Sequence, residues 1–396
     1  MLFRLSEFHM NTILLYFSFV IVSAMLAFLS QAKIKIGSSG ASYRKIHTVP
    51  FLLSYLFLAF FAVFNNIGTD KASYAYFFDI SDIGNIYSGF EIGFRLVIGF
   101  AKLFTSDSRV FIGLLSFLTV TFYYIGIWKS RMYISAGLAV FIYSSQYYLQ
   151  QFNLMRMYFA ASIAFAFIDL LYKKKFFKFG IVLLISSAIH YSMIFSFMAF
   201  LTGWLLKAKN AYSIAERDKT LLISVPVFFM SFFGYNLLSF LSRFPLPVIT
   251  KYLDYIARSG GFEFGFKWIF NVFPYLLVLC LSKYDKEKKD IYSVNAGYFI
   301  MVLAISVMSY RIEMIGRALS VLSIPVVLML PRVLQDCKEE VKASGQKAVI
   351  QIFHVSIRIR YHSIRMITVI YMIFAFLLYL STYLHADGIE EFRFIW

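Results

Sequence analysis

Residues 12–30 of the chain read TILLYFSFVIVSAMLAFLS, a run without a single charged residue. Such a run is long enough to cross the hydrocarbon core of a bilayer, which takes about 20 residues of helix. The bilayer core offers the backbone no water to bond, so a spanning run has to be helical. A cleaved signal peptide has a shorter apolar stretch, and we therefore expect residues 12–30 to remain as a first transmembrane helix.

Further apolar blocks of similar length follow along the chain. The sequence therefore predicts an all-α, polytopic membrane protein with about 12 transmembrane helices. It predicts one integral membrane domain over residues 1–396. The other helices are predicted near residues 49–64, 109–127, 133–150, 155–172, 176–190, 192–207, 219–240, 266–282, 291–310, 316–334 and 366–384.

The composition agrees with a membrane protein and argues against a nucleic-acid-binding one. Of the 396 residues, 60% are hydrophobic and only 15% are charged, whereas a soluble domain carries about 25% charged residues. The formal net charge is +17, but the Lys and Arg residues lie in short clusters between apolar blocks. The positive-inside rule produces that placement, and no basic soluble domain accompanies it.

The basic connectors predict which loops share the cytoplasmic side. If they all face the cytoplasm, the helices alternate without conflict and both termini lie outside. This holds only if residues 91–104 do not span, and that segment is short enough to be interfacial or re-entrant instead. Residues 66–105 then form an outer loop with interfacial or re-entrant helices. The basic connectors are residues 33–45, 128–132, 173–178, 207–219, 283–289 and 332–365.

Residues 335–365 are predicted to form a basic, amphipathic loop on the cytoplasmic side. Polar residues at helical spacing within it indicate a helix that rests on anionic lipid. A disordered basic loop is the alternative, and the pattern favours neither.

The first candidate site residues are Gly68 and Asp70, followed by Tyr74. Gly68 permits a sharp turn after a helix. Asp70 then begins the next helix, where the dipole favours a carboxylate, and Tyr74 lies one turn later on the same face. Asp70 is either an N-cap at the membrane surface or a general base or sugar-binding carboxylate.

Glu91 and Arg95 are spaced for an ion pair on one helical turn. We favour this structural interpretation over one in which the pair anchors the segment at the membrane interface.

Asn153 and Arg156 lie three residues apart, next to a polar aromatic patch that contains Tyr148. A guanidinium binds phosphate through two parallel hydrogen bonds, and amide and aromatic groups suit a sugar. The alternative is that Arg156 extends its charged end to the membrane interface without a ligand.

His190 stands between two strongly apolar runs, at a predicted break on the outer side. Either a neighbour satisfies it, or it binds a phosphate oxygen or acts as an acid near neutral pH. Arg311 and Arg317 bracket another short outer turn. They form a capping ion pair with Glu313, or they share an anion site with Arg156.

The chain contains no phosphate-binding loop, paired zinc ligands, serine-hydrolase elbow or dinucleotide fingerprint. Its two cysteines, Cys280 and Cys337, are far apart and predict neither a disulfide framework nor a metal site. We expect no metal and no cofactor.

The order of the motifs resembles the EpsG-like, Wzy-type polysaccharide polymerases, a family of bacterial inner-membrane proteins. The motifs are Gly-Thr-Asp-x-x-x-Tyr, Glu-x-x-x-Arg, Asn-x-x-Arg-x-x-x-Ala, Ala-Ile-His-Tyr-Ser and a late Arg before an apolar helix. The matching residues are Gly68, Asp70, Tyr74, Glu91, Arg95, Asn153, Arg156, Ala160, His190 and Arg317.

The chain departs from the family pattern at two places. Asn65 and Asn66 stand where the family often has an Arg, and Met157 stands where it often has a Gln. One phosphate contact is therefore missing, or Lys71 or Arg95 supplies it.

The resemblance implies a membrane glycosyltransferase with a GT-C-like architecture and no nucleotide-sugar donor. Its substrate would be an undecaprenyl-diphosphate-linked oligosaccharide repeat unit, polymerised into O-antigen, capsule or exopolysaccharide outside the cytoplasmic membrane. The implied partners are this lipid-linked oligosaccharide, membrane lipid and a chain-length regulator. The expected catalytic residues are Asp70 and His190, and the expected substrate-binding residues are Gly68, Tyr74, Arg95, Tyr148, Asn153, Arg156, Arg311 and Arg317.

Two other functions stay open at this point. A flippase or transporter for the same lipid-linked sugars would hold its charges in a cavity at mid-membrane. The other is a related transferase, such as an O-antigen ligase-like enzyme or a membrane acyltransferase. A ligase would differ from a polymerase only in its acceptor.

Overall fold

Each predicted apolar block contains α-helix in the computed structural model of the chain. The structure describes residues 7–31, 34–35, 42–43, 47–206, 214–233, 267–282, 289–310, 312–344, 348–352, 355–385 and 387–394. The first eight helices are α1 (Glu7–Leu29), α2 (Thr48–Phe64), α3 (Lys71–Asp79), α4 (Ile92–Lys102), α5 (Ser108–Ser130), α6 (Ala136–Gln146), α7 (Met155–Ala166) and α8 (Asp169–Tyr172). The others are α9 (Phe176–Ile189), α10 (Met193–Leu205), α11 (Ile214–Ser231), α12 (Lys267–Leu281), α13 (Lys289–Met308), α14 (Glu313–Ser323), α15 (Val326–Ser344) and α16 (Tyr361–Tyr383).

Two of the predicted helices are interrupted. The block predicted at 155–172 forms α7 and α8, because Phe167 and Ile168 donate to carbonyls only three residues back and tighten the turn. The block predicted at 316–334 forms α14 and α15, which are bent by 41°. Pro325 lies in this break, and a proline has no N–H to continue the helical ladder.

Two short antiparallel hairpins accompany the helices. Strand β1 (Ile34–Lys35) pairs with β2 (Ser42–Tyr43), and β3 (Ala348–Ile352) pairs with β4 (Val355–Ile359). The helical alternative for residues 335–365 is therefore wrong for residues 348–352 and 355–359. The reason is in the sequence, because residues 355–359 alternate branched apolar residues with polar ones, and that period of two favours a strand.

The chain divides into two compact units. The first contains residues 1–173, 177–191 and 362–396, and the second contains residues 174–176 and 192–361. In the first unit α1 packs against α2 and α6, while α5 packs against α2, α3 and α7. In the second unit α13 packs against α10, α11, α12 and α14.

Contacts in the first unit bring together connectors that were predicted to share a side. At one end of α7, Lys129 donates to the carbonyl of Ala166 at 2.9 Å. Asp169 lies 3.8 Å from Lys129 and accepts from Lys173 at 2.7 Å. Arg156 lies in the first turn of α7, at the end opposite to Ala166. The connector before this turn was predicted to lie on the non-cytoplasmic side. Which face of the membrane each end meets stays a prediction.

Helix α4 occupies the segment that was predicted not to span. It has 11 residues and is about 16 Å long, about half of a hydrocarbon core. Phe94 and Ile98 are buried on one face, whereas Leu96 and Phe100 are 70% and 64% exposed on another. A short helix with an exposed apolar face suits a position in the plane of the membrane interface.

The described helices are those of a polytopic membrane protein. Three of them, α1, α5 and α16, are long and apolar enough to cross a membrane, and the bent pair α14 and α15 makes a fourth if it is one span. Six further apolar helical stretches of 10–17 residues lie within α2, α9, α10, α11, α12 and α13. The predicted number of about 12 crossings stays a prediction.

Candidate functional site

A tight turn after α2 places the first group of predicted residues. Gly68 has φ of +100°, a conformation that a residue with a side chain rarely adopts. A Cβ atom at Gly68 would also lie 2.8 Å from the carbonyl carbon of Phe152. The turn that the sequence predicted at Gly68 therefore requires glycine for its backbone angle. The close approach of a second chain segment, which the sequence did not predict, requires glycine as well.

Asp70 stands at the N-cap of α3, where the sequence placed it. Its side chain makes no capping hydrogen bond, although its carbonyl accepts from the N–H of Tyr74 at 3.0 Å. Burial raises the pKa of Tyr74, the Arg156 guanidinium opposes that rise, and the Asp70 carboxylate adds to it. A carboxylate and a guanidinium thus both act on the same phenol.

The positive charge of Arg156 is compensated by the carboxylate of Glu91, a residue that is distant in the sequence but close in the structure. Its Nη1 donates to Oε2 of Glu91, and the two side chains are 17% and 2% exposed. The guanidinium lies over Phe90, with its central carbon 4.8 Å from the ring centroid. Because Arg156 is in the first turn of α7, the helix dipole disfavours its charge, and Glu91 compensates.

The predicted ion pair between Glu91 and Arg95 was wrong. Glu91 is the N-cap of α4 with extended backbone angles, so its side chain does not follow the helical face that carries Arg95. Its carboxylate pairs with Arg156 instead. The Nε atom of Arg95 is buried without a hydrogen-bond partner, and the same holds for Nε of Arg156.

His190 follows the last residue of α9, and its neighbour Tyr191 contacts the same carboxylate. The N–H of the next residue, Tyr191, donates to Oε1 of Glu91 at 3.4 Å. Helix α4 is held against this turn because Gly93 approaches the backbone of Ala188 closely, where a Cβ atom would be 2.7 Å from its carbonyl carbon. The turn that contains His190 therefore contacts Glu91, the carboxylate that pairs with Arg156, and a role of the His190 side chain stays a prediction.

Asn153 links the Gly68 turn to residues 387–394, the C-terminal segment that the structure describes beyond α16. Its amide oxygen accepts from the Thr69 hydroxyl at 2.5 Å, and its amide nitrogen donates to Asp387 at 2.8 Å. Tyr148, in contrast, is fully buried and its hydroxyl donates to the carbonyl of Leu58 at 2.7 Å. The predicted sugar contact of Tyr148 is therefore corrected, since this side chain belongs to the core.

Lys71 does not provide the phosphate contact that was considered for it. Its side chain is buried, and Nζ donates to the carbonyl oxygen of Asn65 at 2.6 Å and to the side-chain oxygen of the same residue. Burial lowers the pKa of Lys71 to about 7. Asn65, at one of the two positions where the chain departs from the family pattern, thus accepts two hydrogen bonds from the Lys71 side chain.

The two late arginines are placed differently. Arg311 lies outside the described residues. Arg317 is exposed in α14 of the second unit, so its role in anion binding stays a prediction.

The sequence interpretation missed several residues of this cluster. Asp387 and Thr69 were not predicted, and Lys71 was considered only for a contact that it does not make. The available signals were a polar tail after the last apolar block and an Asp-Gly pair at its start, which is typical of a turn. Among the described residues, no group of three or more His, Cys, Asp or Glu side chains is placed to hold a metal ion.

The comparisons with known proteins give one match. The sequence model of the EpsG family matches residues 48–364, which is most of the chain. The matched region includes Asp70, Glu91, Arg156 and His190 but ends before the C-terminal segment. No curated protein and no solved structure matches the chain.

Proposed function

Because the chain belongs to the EpsG family of Wzy-type polysaccharide polymerases, we propose that it joins undecaprenyl-diphosphate-linked oligosaccharide repeat units into a surface polysaccharide. The reaction takes place at the outer face of the bacterial cytoplasmic membrane, as the distribution of Lys and Arg suggests. The enzyme is a glycosyltransferase with a GT-C-like arrangement and uses no nucleotide sugar, since the lipid diphosphate already activates the donor.

In the proposed step, a sugar hydroxyl of the incoming unit attacks the anomeric carbon of the growing glycan. The bond between that carbon and the carrier diphosphate breaks, and its electron pair leaves with the diphosphate. Asp70 accepts the hydroxyl proton, a contribution of about 10²- to 10⁴-fold in rate for a well-placed base. Arg156 stabilises the charge that develops on the leaving diphosphate.

The observation that carries this proposal is the cluster around Tyr74. Tyr74 lies one turn after Asp70, and its ring centroid is 6.2 Å from that of Phe90, while the Arg156 guanidinium lies 4.8 Å from the same Phe90 centroid. This placement supports a base and an anion-binding group that come from different chain segments. Nε of Arg156 and Nε of Arg95 are buried donors without a hydrogen-bond partner. A diphosphate offers the acceptor oxygens that such donors require, and Arg–phosphate hydrogen bonds are among the strong ones.

The first test is complementation of a deletion strain with single variants, followed by gel analysis of the surface glycan. Asp70→Asn and Arg156→Ala are expected to abolish long chains while the amount of protein in the membrane holds. Asp82→Asn and Arg109→Ala are matched controls, because both residues are exposed within the same unit. Long chains in the Asp70→Asn and Arg156→Ala strains would contradict the assigned site.

The deletion strain itself separates the possible functions. Single repeat units on the cell surface support a polymerase, whereas loss of all surface glycan favours a flippase or a ligase. Arg317→Ala belongs in the same panel, where unchanged chain lengths would remove Arg317 from the diphosphate-binding residues.

A further inference from the structure

The C-terminal segment 387–394 packs against the first helix of the same unit. Ile389 is fully buried, and its carbonyl accepts from the Tyr16 hydroxyl at 2.6 Å. The N–H of Phe392 donates to the hydroxyl of Thr12 at 3.2 Å. This segment lies beyond the region that the EpsG family model matches, so nothing in the family match assigns it a role.

The backbone of this segment pairs with the residues that lead to Asp70. Gly388 has φ of +62° in a turn beyond the end of α16, and its carbonyl accepts from the N–H of Gly68 at 3.2 Å. The carbonyl of Arg393 accepts from the N–H of Asn66 at 2.8 Å. The C-terminal segment therefore fixes the course of the turn that precedes Asp70.

Side chains extend this connection to the residue next to Asp70. The Tyr379 hydroxyl and the Asn153 amide each donate to one oxygen of Asp387, both at 2.8 Å. The side-chain oxygen of Asn153 accepts from the Thr69 hydroxyl at 2.5 Å. A carboxylate suits this position because it accepts from two donors at once.

We propose that Asp387 is a positioning residue of the polymerase, which acts through Asn153 and Thr69 to hold Asp70 in place relative to Arg156. Asn153 lies three residues before Arg156, so the hydrogen bonds through Asn153 connect the segment of the base to the segment of the anion-binding group. Displacement of a reacting group by about 1 Å costs up to about 10²-fold in rate. This inference rests on the proposed polymerase function.

The test compares Asp387→Asn with Glu390→Gln in the purified full-length enzyme. An amide at position 387 offers one acceptor oxygen for two donors, whereas Glu390 lies on the same segment and only pairs with exposed His385. With a lipid-diphosphate-linked oligosaccharide as substrate, Asp387→Asn is expected to lower kcat by about 10²-fold and to leave KM unchanged. Glu390→Gln is expected to keep the wild-type kcat.

A second variant breaks the same set of hydrogen bonds at its other end. Thr69→Val removes the hydroxyl that donates to Asn153. The double variant with Asp387→Asn is expected to lose no more activity than the less active of the two single variants. Additive losses would overturn the positioning role, as would a raised KM with unchanged kcat. If Asp387→Asn fails to accumulate while Thr69→Val is fully active, the proposal is overturned as well.

The outcomes also separate this inference from the proposed function. If the wild-type enzyme makes no polymer, the polymerase function fails. If the wild type makes polymer and Asp387→Asn matches Glu390→Gln, only the positioning role fails.

Discussion

At the scale of single residues, Arg156 shows how much a motif predicts when the ion-pair partner of its arginine is unknown. The spacing of Asn153 and Arg156 predicted a polar face suited to sugar and phosphate, and both residues lie in the cluster. The spacing did not predict the partner Glu91, because the two residues are 65 positions apart. A pair at that separation forms only through tertiary packing. The spacing of four residues between Glu91 and Arg95 therefore favoured Arg95 as the partner of Glu91, which was wrong.

Gly68 allows a direct test of the turn before Asp70. Gly68→Ala places a side chain at φ of +100° and against the Phe152 carbonyl, so we expect the free energy of unfolding to fall by more than about 1 kcal/mol. Gly84→Ala is the matched control, because nothing lies within 4 Å of its Cβ position. Thermal unfolding of both purified variants measures the difference. Equal unfolding temperatures would contradict the role of the turn.

Lys71 is expected to make the stability of the folded protein depend on pH. Burial lowers its pKa to about 7 in the folded protein, whereas an unfolded chain keeps a Lys pKa of about 10.4. Between these values the unfolded state binds more protons, so stability rises with pH, by at most about 1.4 kcal/mol per pH unit. We expect the wild-type unfolding temperature to rise more than that of Lys71→Met between about pH 7 and pH 9. Parallel curves for the two proteins would contradict the lowered pKa.

At the scale of elements, hydrophobic length predicted the helices well because backbone hydrogen bonding leaves a long apolar run few other structures. It failed where local chemistry overrides hydrophobicity. Pro325 splits one apolar run into α14 and α15, and the period of two in residues 355–359 produces β4 instead of a helix. Both signals are visible in the sequence, but an interpretation based on hydrophobic length alone passes over them.

The position of α4 at the membrane interface is testable by spin labelling. The described native cysteines, Cys280 and Cys337, are both buried and are replaced by serine for this purpose. A nitroxide at Leu96→Cys is expected to collide more with oxygen, which dissolves in lipid, than with a water-soluble nickel complex. A label at Asp82→Cys, on an exposed turn of the same loop, is expected to show the opposite preference. A nickel preference at residue 96 would place α4 in water.

At the scale of the whole molecule, the sequence predicted the class of protein and its family but not the composition of the site. Composition and apolar block length were sufficient for a polytopic helical membrane protein, and the order of weak motifs was sufficient for the EpsG family. The hydrogen bond between Asn153 and Asp387 was not predictable, because it joins residues 234 positions apart that only tertiary packing brings together. Arg317 belongs to the second compact unit, and its participation stays a prediction.

The pairing of segment 387–394 with the Gly68 turn has a consequence for biogenesis. Ribosomes make a chain from its amino end, so the turn that carries Asp70 is synthesised early, whereas the residues that fix it emerge only after α16 has been made. A nascent chain in which segment 387–394 has not yet been made therefore lacks these contacts to the Gly68 turn. If the proposed positioning role holds, we expect a chain that stops before residue 387 to lack the contacts on which that role depends, and therefore to be inactive as a polymerase.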